Sequence, residues 1–235
     1  MTRVRIIGPG RAGTSLHRAL GRAGVAVEPI LGRGDDPAPA GDGVDIVMIA
    51  TPDASVAPVA AAIAPRDDVV VAHVSGSLGL AALAGHQRRA VLHPLVALPD
   101  AERGAEALRG AWFGLAAEGD PLVEEVVQAL DGRAIQVAED AWARYHAAAV
   151  IASNHLVALL GQVERVAATV GAPLEAYLEL SRGTLADVTR LGPAAALTGP
   201  VRRGDRATVD RHLAALPDAE RPAYRVLSAE AARLC

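Results

Sequence analysis

Along the first half of the chain, short apolar runs alternate with stretches whose apolar residues recur at helical spacing. The two patterns hand over at glycines, prolines and aspartates. Val4, Ile6 and Ile7 form the kind of run that a strand buried on both faces needs, and Gly8-Pro9-Gly10-Arg11-Ala12-Gly13 follows directly. Residues 14–23 then read as a helix closed by Gly24, and residues 25–31 as a second strand. Residues 34–43 (GDDPAPAGDG) are a polar loop where a longer fold of this kind carries another helix. The pattern continues with a strand at 44–50 closed by Thr51-Pro52-Asp53, a helix at 54–64, and a strand at 69–74 ending in Ser75-Gly76. A short helix at 78–84 and a short strand at 90–92, followed by His93-Pro94, come next. A strand at 112–116, a helix at 121–130 and a strand at 134–137 close this half. Such alternation predicts an α/β domain, a Rossmann-type doubly wound parallel sheet with right-handed crossovers.

At Glu139 the pattern changes. Asp140 is a plausible N-cap, and residues 141–170 form one long alanine-rich apolar segment. Residues 174–191, 206–216 and 219–234 also read as helices, punctuated by Gly192-Pro193 and Pro217. The expectation is two domains, 1–138 and an all-α 139–235, with no flexible linker.

Composition narrows the chemistry. The 235 residues are 51% hydrophobic and 21% charged, as in a globular protein with a sizeable core. A net charge of −4 offers no basic field for nucleic acid. The chain opens on a strand rather than a signal segment. Its longest apolar stretch is interrupted by Arg144, His146, Asn154 and Glu164, so no membrane span and a cytoplasmic location are expected. Cys235 is the lone cysteine, which rules out an intrachain disulfide or a thiolate cluster, and no metal site is expected. The chain contains no Lys: all 23 basic residues are Arg. That excludes Schiff-base chemistry, a P-loop lysine and a lysine general acid.

Strand, glycine turn, helix and strand in this order form the context in which GxGxxG binds a nucleotide. Gly8 allows the tight turn, Gly10 lets the backbone approach a pyrophosphate, and Gly13 lets the helix pack on the sheet. Pro9, Arg11 and Ala12 complete the loop, whose helix N–H groups face the phosphates. Where an acid at the end of the second strand would read a ribose hydroxyl, this chain has Arg33, which fits a 2′-phosphate and predicts NADP(H) over NAD(H). The other reading of Arg33 is a solvated surface residue, and Asp35 or Asp36 remains an alternative ribose partner. Ligands bind at the carboxyl ends of such strands. Ala50, Thr51 and Pro52 should therefore pass beside the cofactor with Asp53 as a helix N-cap. His73, Ser75 and His93 should lie near the nicotinamide, as substrate groups or as structural residues.

The motifs GPGRAGTSL, HVSG, LHPL, YHAAAVIASNHLVALL and GPAAALTGPVRRGDRATVDRHLAAL, in this order, resemble Rossmann-like proteins that carry a C-terminal domain of unknown function numbered 2520. The resemblance runs over residues 4–232, and TGPVRRGD is its most specific part. It implies a plan like that of 6-phosphogluconate dehydrogenase and of pyrroline-5-carboxylate and ketopantoate reductases, an NADP-binding domain followed by a helical domain that often dimerises. Asn154 falls where β-hydroxyacid dehydrogenases place a substrate-binding asparagine, but their lysine one turn earlier corresponds to Val150. With the usual proton donor absent, His146 is the first substitute and His93 the second. Ser153 lies close to the helix face of His146. Each has a packing alternative, Asn154 as a buried amide and Tyr145-His146 as an interdomain pair. Arg202 or Arg203, the latter preferred, is expected to hold a substrate carboxylate, or else Arg203 pairs with Asp205 at a helix start.

The expected activity is NADPH-dependent reduction of C=O or C=N in a small carboxylate substrate, ketopantoate first, with Arg203 fixing the carboxylate and Asn154 and Ser75 polarising the reacting group. The alternative is a non-catalytic NADP-binding sensor or regulatory protein. A methyltransferase using a similar glycine turn is disfavoured by the lack of an acid after the second strand. The helical domain predicts a homodimer, since alone it would leave an apolar face uncovered.

Overall fold

The structure, a computed structural model, describes residues 2–116 and 120–235. By packing, the chain divides into two compact units, Met1–Ala149 and Val150–Cys235. The division falls beyond the change of pattern at Glu139. The reason is Trp142, which is buried with Leu80, Val91 and Ala116 of the sheet unit, and Tyr145 packs on the same cluster.

The first unit runs β1 (Arg3–Ile7), α1 (Arg11–Arg22), β2 (Ala26–Val27), β3 (Ile46–Ile49), α2 (Asp53–Ala62), β4 (Val70–His73), β5 (Arg89–Pro94), α3 (Ala101–Leu108), β6 (Trp112–Ala116), α4 (Pro121–Ala129) and β7 (Arg133–Gln136), and ends within α5 (Trp142–Val150). Its seven strands form one sheet of order β2-β1-β3-β4-β5-β6-β7. The central strands read as unbroken apolar runs because both faces are covered. Ile46 and Met48 of β3 join a core with Leu16 and Leu20 of α1. Val47 and Ile49, pointing the other way, join a second core with Val56 of α2 and Leu83. Each such side chain contributes about 1.5–3 kcal/mol on burial.

This is a Rossmann-type fold, though the sheet is not wholly parallel as expected. β6 runs antiparallel to β5, with Leu92 opposite Leu115 and His93 opposite Gly114. The cause lies in α3, for which the pattern predicts no element. Asp100 starts it by accepting from the Glu102 and Arg103 N–H groups. The helix then packs on α1, where Gly104 leaves room for Ser15. The chain returns to the sheet end it left, and Leu95 N–H donates to the Trp112 carbonyl at 2.8 Å. Two smaller differences have local causes. β2 stops short of the expected 25–31 because its strand bulges: Glu28 N–H donates to the Val4 carbonyl and Leu31 N–H to the Ile6 carbonyl, both at 2.9 Å, so one extra residue precedes the Ile7–Leu31 bridge. Residues 80–83 form a 3₁₀ turn rather than an α-helix.

The second unit opens with a π-helical turn (Ile151–His155), followed by α6 (Leu156–Ala168), α7 (Leu174–Leu191), α8 (Pro193–Ala196), α9 (Gly199–Arg202), α10 (Arg206–Ala215) and α11 (Arg221–Ala232). Among its described residues only Ala167 and Glu220 are buried. Glu220 is held by the Arg165 guanidinium at 2.7 and 3.1 Å, which keeps its carboxyl below the usual range. Ile151, Val157, Leu180, Leu185 and Val226 all stand more than half exposed. The helical run Glu139–Ala168, of mean hydropathy 1.3 in its most apolar window, is long and apolar enough to cross a membrane by length and composition. It also carries Arg144, His146, Asn154 and Glu164.

Candidate functional site

After β1 the chain turns at Gly8, whose φ of +113° favours glycine. A Cβ there would lie 2.7 Å from the Ala50 carbonyl oxygen. A Cβ on Gly13 would come within 1.9 Å of the Gly8 carbonyl oxygen, so α1 sits directly on the turn. Gly10 differs from both. It is the N-cap of α1, and nothing lies within 4 Å of a Cβ built on it. The first N–H groups of α1 therefore open onto free space, with no side chain capping them. A cleft of about 400 Å³ lies here, lined by Gly10, Arg11, Ala12, Ala50, Thr51 and Pro52 and by Val74, His93 and Pro94. Thr51 Oγ1 is buried with no hydrogen-bond partner among the described residues.

Pro9 packs beside Gly32, which brings the loop after the second strand next to the glycine turn. Both acids of that loop are engaged with backbone. Asp35 Oδ2 accepts from Gly32 N–H at 2.7 Å, and Asp36 Oδ1 accepts from Ala38 N–H at 2.9 Å. Arg33, in the same loop, is exposed.

The ends of β4 and β5 bring histidines together, and these differ in their hydrogen-bond partners. His73 is buried. Its Nδ1 accepts from Ser75 N–H at 3.2 Å, so the proton is on Nε2, 3.2 Å from the Gly79 carbonyl. Burial lowers its pKa, and it serves to fold the loop. Ser75, expected to polarise the reacting group, instead staples the same loop. Its Oγ accepts from Ser77 N–H at 3.2 Å and Leu78 N–H at 3.3 Å and lies 3.2 Å from Ser77 Oγ. Ser77 in turn donates to Asp53 Oδ2. Asp53 is thus not the N-cap of α2, a position taken by Pro52. The Ser77 hydrogen bond, opposed by burial and aided by Ser75, His73 and His146, holds its carboxyl below the usual range.

That loop sets Gly76 against two further imidazoles. A Cβ on Gly76 would lie 2.5 Å from His146 Nδ1 and 2.7 Å from His93 Nε2, so both nitrogens converge on one point. His146 Nδ1 is buried there with no partner among the described residues. The His93 ring stands edge-on to His146, centroids 5.8 Å apart, and its Nδ1 lies 3.0 Å from the Tyr145 hydroxyl. Burial, with His146 adding to it, pushes the His93 imidazole down to about 4, so it is neutral near pH 7. Tyr145 occupies the space of a missing side chain: a Cβ on Gly114 would sit 2.5 Å from its ring. Tyr145 enters the sequence reading only as a packing residue. The antiparallel pairing of His93 with Gly114 is what brings it to His93.

Asn154 and Arg203 belong to the helical unit. Asn154 lies exposed in the π-helical turn, its Oδ1 accepting from Ser153 Oγ at 2.8 Å. The π turn breaks the α-helical periodicity by which residues of this segment are assigned to one face. Arg203 is exposed at the end of α9. Asp205 caps α10, accepting from Thr208 N–H at 3.0 Å and Thr208 Oγ1 at 2.6 Å. Among the described residues, no group of three or more His, Cys, Asp or Glu is placed to hold a metal ion.

Residues 112–231 match the family described as Domain of unknown function (DUF2520). The chain belongs to the DUF2520 family. Among solved structures, this DUF2520 protein is similar to the candidate NADP oxidoreductase BF3122 from Bacteroides fragilis, with a TM-score of 0.78 and 20% identity over 99% of this chain and 98% of that one. A reductive aminase from Aspergillus terreus, in complex with NADPH4, cyclohexanone and allyl amine, aligns with a TM-score of 0.72 and 16% identity over 99% of this chain and 94% of its own. Pyrroline carboxylate reductase from Plasmodium falciparum, with NADP bound, gives a TM-score of 0.64 and 10% identity over 99% and 98%. At these identities the likeness establishes the fold. No curated protein matches the sequence.

Proposed function

We propose that this DUF2520 protein is an NADPH-dependent reductase of a small ketone or imine that carries a carboxylate, ketopantoate being the first substrate to try. The observation that carries the reading is the pairing of two features: open space before Gly10 at the start of α1, and two imidazoles converging on Gly76, one of which, His93, lines the same cleft as Gly10. A dinucleotide fits the residues present. The α1 N–H groups and the Gly10 backbone would hold the pyrophosphate, and the partnerless Thr51 hydroxyl is available to a ligand hydroxyl. Arg33 would hold the 2′-phosphate, a preference for NADP(H) supported by the engagement of Asp35 and Asp36 with backbone N–H groups. The bound nicotinamide supplies the hydride. His146 gives a proton to the oxygen or nitrogen of the reduced group, its imidazole being left neutral. Arg203 as carboxylate anchor and Asn154 as a substrate-binding amide are retained from the sequence as parts of the proposal.

We further propose a homodimer built on the helical unit. Ala167 is the lone buried apolar residue among the described residues of that unit, too little to stabilise it alone. A second copy is the occupant that covers Ile151, Val157 and Leu180. Light scattering should give a dimer. A monomer that partitions into vesicles would point to the membrane instead.

Calorimetry of NADPH binding, followed by NADPH oxidation across a panel of keto acids and cyclic imines, tests the main reading. Tight binding without turnover on any of them would favour a sensor or regulatory protein. Arg33→Ala should weaken NADPH about tenfold or more while leaving NADH nearly unchanged, as expected for loss of one charge-assisted contact. Equal losses for the two cofactors would remove Arg33 from the site.

A further inference from the structure

Tyr145 has a geometry that packing alone does not require. Its ring lies on the backbone of Gly114, tilted on Trp142 with centroids 5.1 Å apart and edge-on to His93 at 5.7 Å and 86°. Trp142 is itself buried, so the phenol is held from behind. Its hydroxyl is left facing His93 Nδ1 at 3.0 Å.

One neutral imidazole and one neutral phenol share this hydrogen bond, so one of them donates. Burial pushes the phenol up, which keeps its proton in place throughout the neutral range, and a backbone hydrogen bond from Gly114 acts in the other direction. That proton needs an acceptor. His93 Nδ1 is the acceptor the described residues place within reach. Were Nδ1–H to donate instead, the phenol proton would be left in a half-buried site without one, at a desolvation cost. With the phenol donating, the His93 proton resides on Nε2, the nitrogen that converges with His146 Nδ1 on Gly76 and belongs to a residue lining the cleft.

We propose that Tyr145 is a positioning residue that holds His93 as its Nε2–H tautomer, so that His93 serves as a neutral hydrogen-bond donor to the reacting oxygen or nitrogen and keeps its own proton. The proposal rests on the reductase reading for the identity of the reacting group, but not for the tautomer. A neutral imidazole N–H is far too weak an acid to protonate a product at pH 7, yet it polarises a carbonyl well. This divides the labour between the two histidines that the sequence leaves as rival proton donors. His93 polarises, and His146 supplies the proton.

The test uses the full-length protein with ¹⁵N-labelled histidine. In the wild type at pH 7, the His93 signal should show a protonated Nε2 and a bare, hydrogen-bonded Nδ1. In Tyr145→Phe, which keeps the ring and its packing on Gly114, the two tautomers should mix. A wild-type His93 protonated on Nδ1, or a Tyr145→Phe protein that keeps the single Nε2–H form, overturns the proposal whether or not turnover is ever found. With a substrate in hand, Tyr145→Phe should lower kcat about tenfold, the value of one hydrogen bond, and leave NADPH affinity unchanged. An unchanged kcat would refute the role in the reaction. Absence of any NADPH oxidation in the wild type would refute the reductase reading while the tautomer result stands.

Discussion

Gly76→Ala is a sharp probe of the histidine pair. The glycine does not have a positive φ, so its backbone accepts alanine, and the whole effect comes from one methyl group. That methyl would sit 2.5 Å from His146 Nδ1 and 2.7 Å from His93 Nε2. Ordinary contact requires about 3.5 Å, so each ring must retreat by roughly 1 Å or the loop must shift as far. The His93 ring and the loop are both held. His93 is tied to Tyr145, and the loop is stapled by Ser75, Ser77, His73 and Asp53. Overpacking of this kind costs about 1–3 kcal/mol of stability. A misplacement of about 1 Å at a reacting centre costs on the order of 100-fold in rate. NADPH oxidation with the best substrate of the panel, calorimetric NADPH binding and a thermal melt together measure the outcome. The expected pattern is a folded protein with modestly lowered Tm, NADPH affinity within about threefold of wild type, since Gly76 is not among the residues that would hold the cofactor, and kcat/KM reduced on the order of 100-fold. A Gly76→Ala protein with wild-type turnover would mean that neither histidine acts at that point.

Two further outcomes follow from other parts of the first unit. Gly10→Ala has open space for its methyl and should fold normally, while its NADPH affinity falls about 10- to 100-fold; Gly13→Ala, with its Cβ 1.9 Å from the Gly8 carbonyl oxygen, should lose stability as well. Equal melting temperatures for the two variants would contradict this account of the turn. Stability should also fall with acidification. His93 titrates at about 4 when folded and at 6.5 when unfolded, so the unfolded chain binds the proton first. The stabilisation is fully present above about pH 6.5 and is lost as the pH falls towards 4, by up to about 3 kcal/mol. The lowered pKa values of His73 and Asp53 act in the same direction. Urea unfolding between pH 7 and pH 4.5 should show the loss, reduced in His93→Gln. A flat profile would count against burial of the neutral imidazole.

The two halves of the chain differ in how much of their structure can be read from residues alone. In the sheet unit the apolar runs are long enough, and the glycines placed tightly enough, that local chemistry settles most strands and helices, α3 being the element it misses: Ile46, Val47, Met48 and Ile49 all are buried because both faces of β3 are covered. What escapes is topology that depends on distant contacts. The antiparallel β6 follows from α3 returning the chain beside Leu95, and no residue in Trp112–Ala116 encodes strand direction. The site shows the same split. GPGRAG carries its glycine roles in its spacing, whereas Ser75 reads as a hydroxyl beside the nicotinamide and turns out to hold its own loop. Gly76 and Tyr145 fall inside the quoted motifs HVSG and YHAAAVIASNHLVALL, but their tasks cannot be read there, since they lie in what stands against each residue in space.

The sparse interior of the helical unit has a consequence for the biology of the chain. A sheet unit with two cores retains its shape at any dilution, whereas in the proposed homodimer the helices, which bury almost nothing on their own, depend on mass action. If a second copy covers them, the ordered state of the C-terminal half becomes a function of how much protein the cell holds. On the proposed reductase reading, expression level would then set the fraction of chains able to turn over substrate, while the sheet unit's own glycine turn would let every chain, paired or single, sequester cofactor.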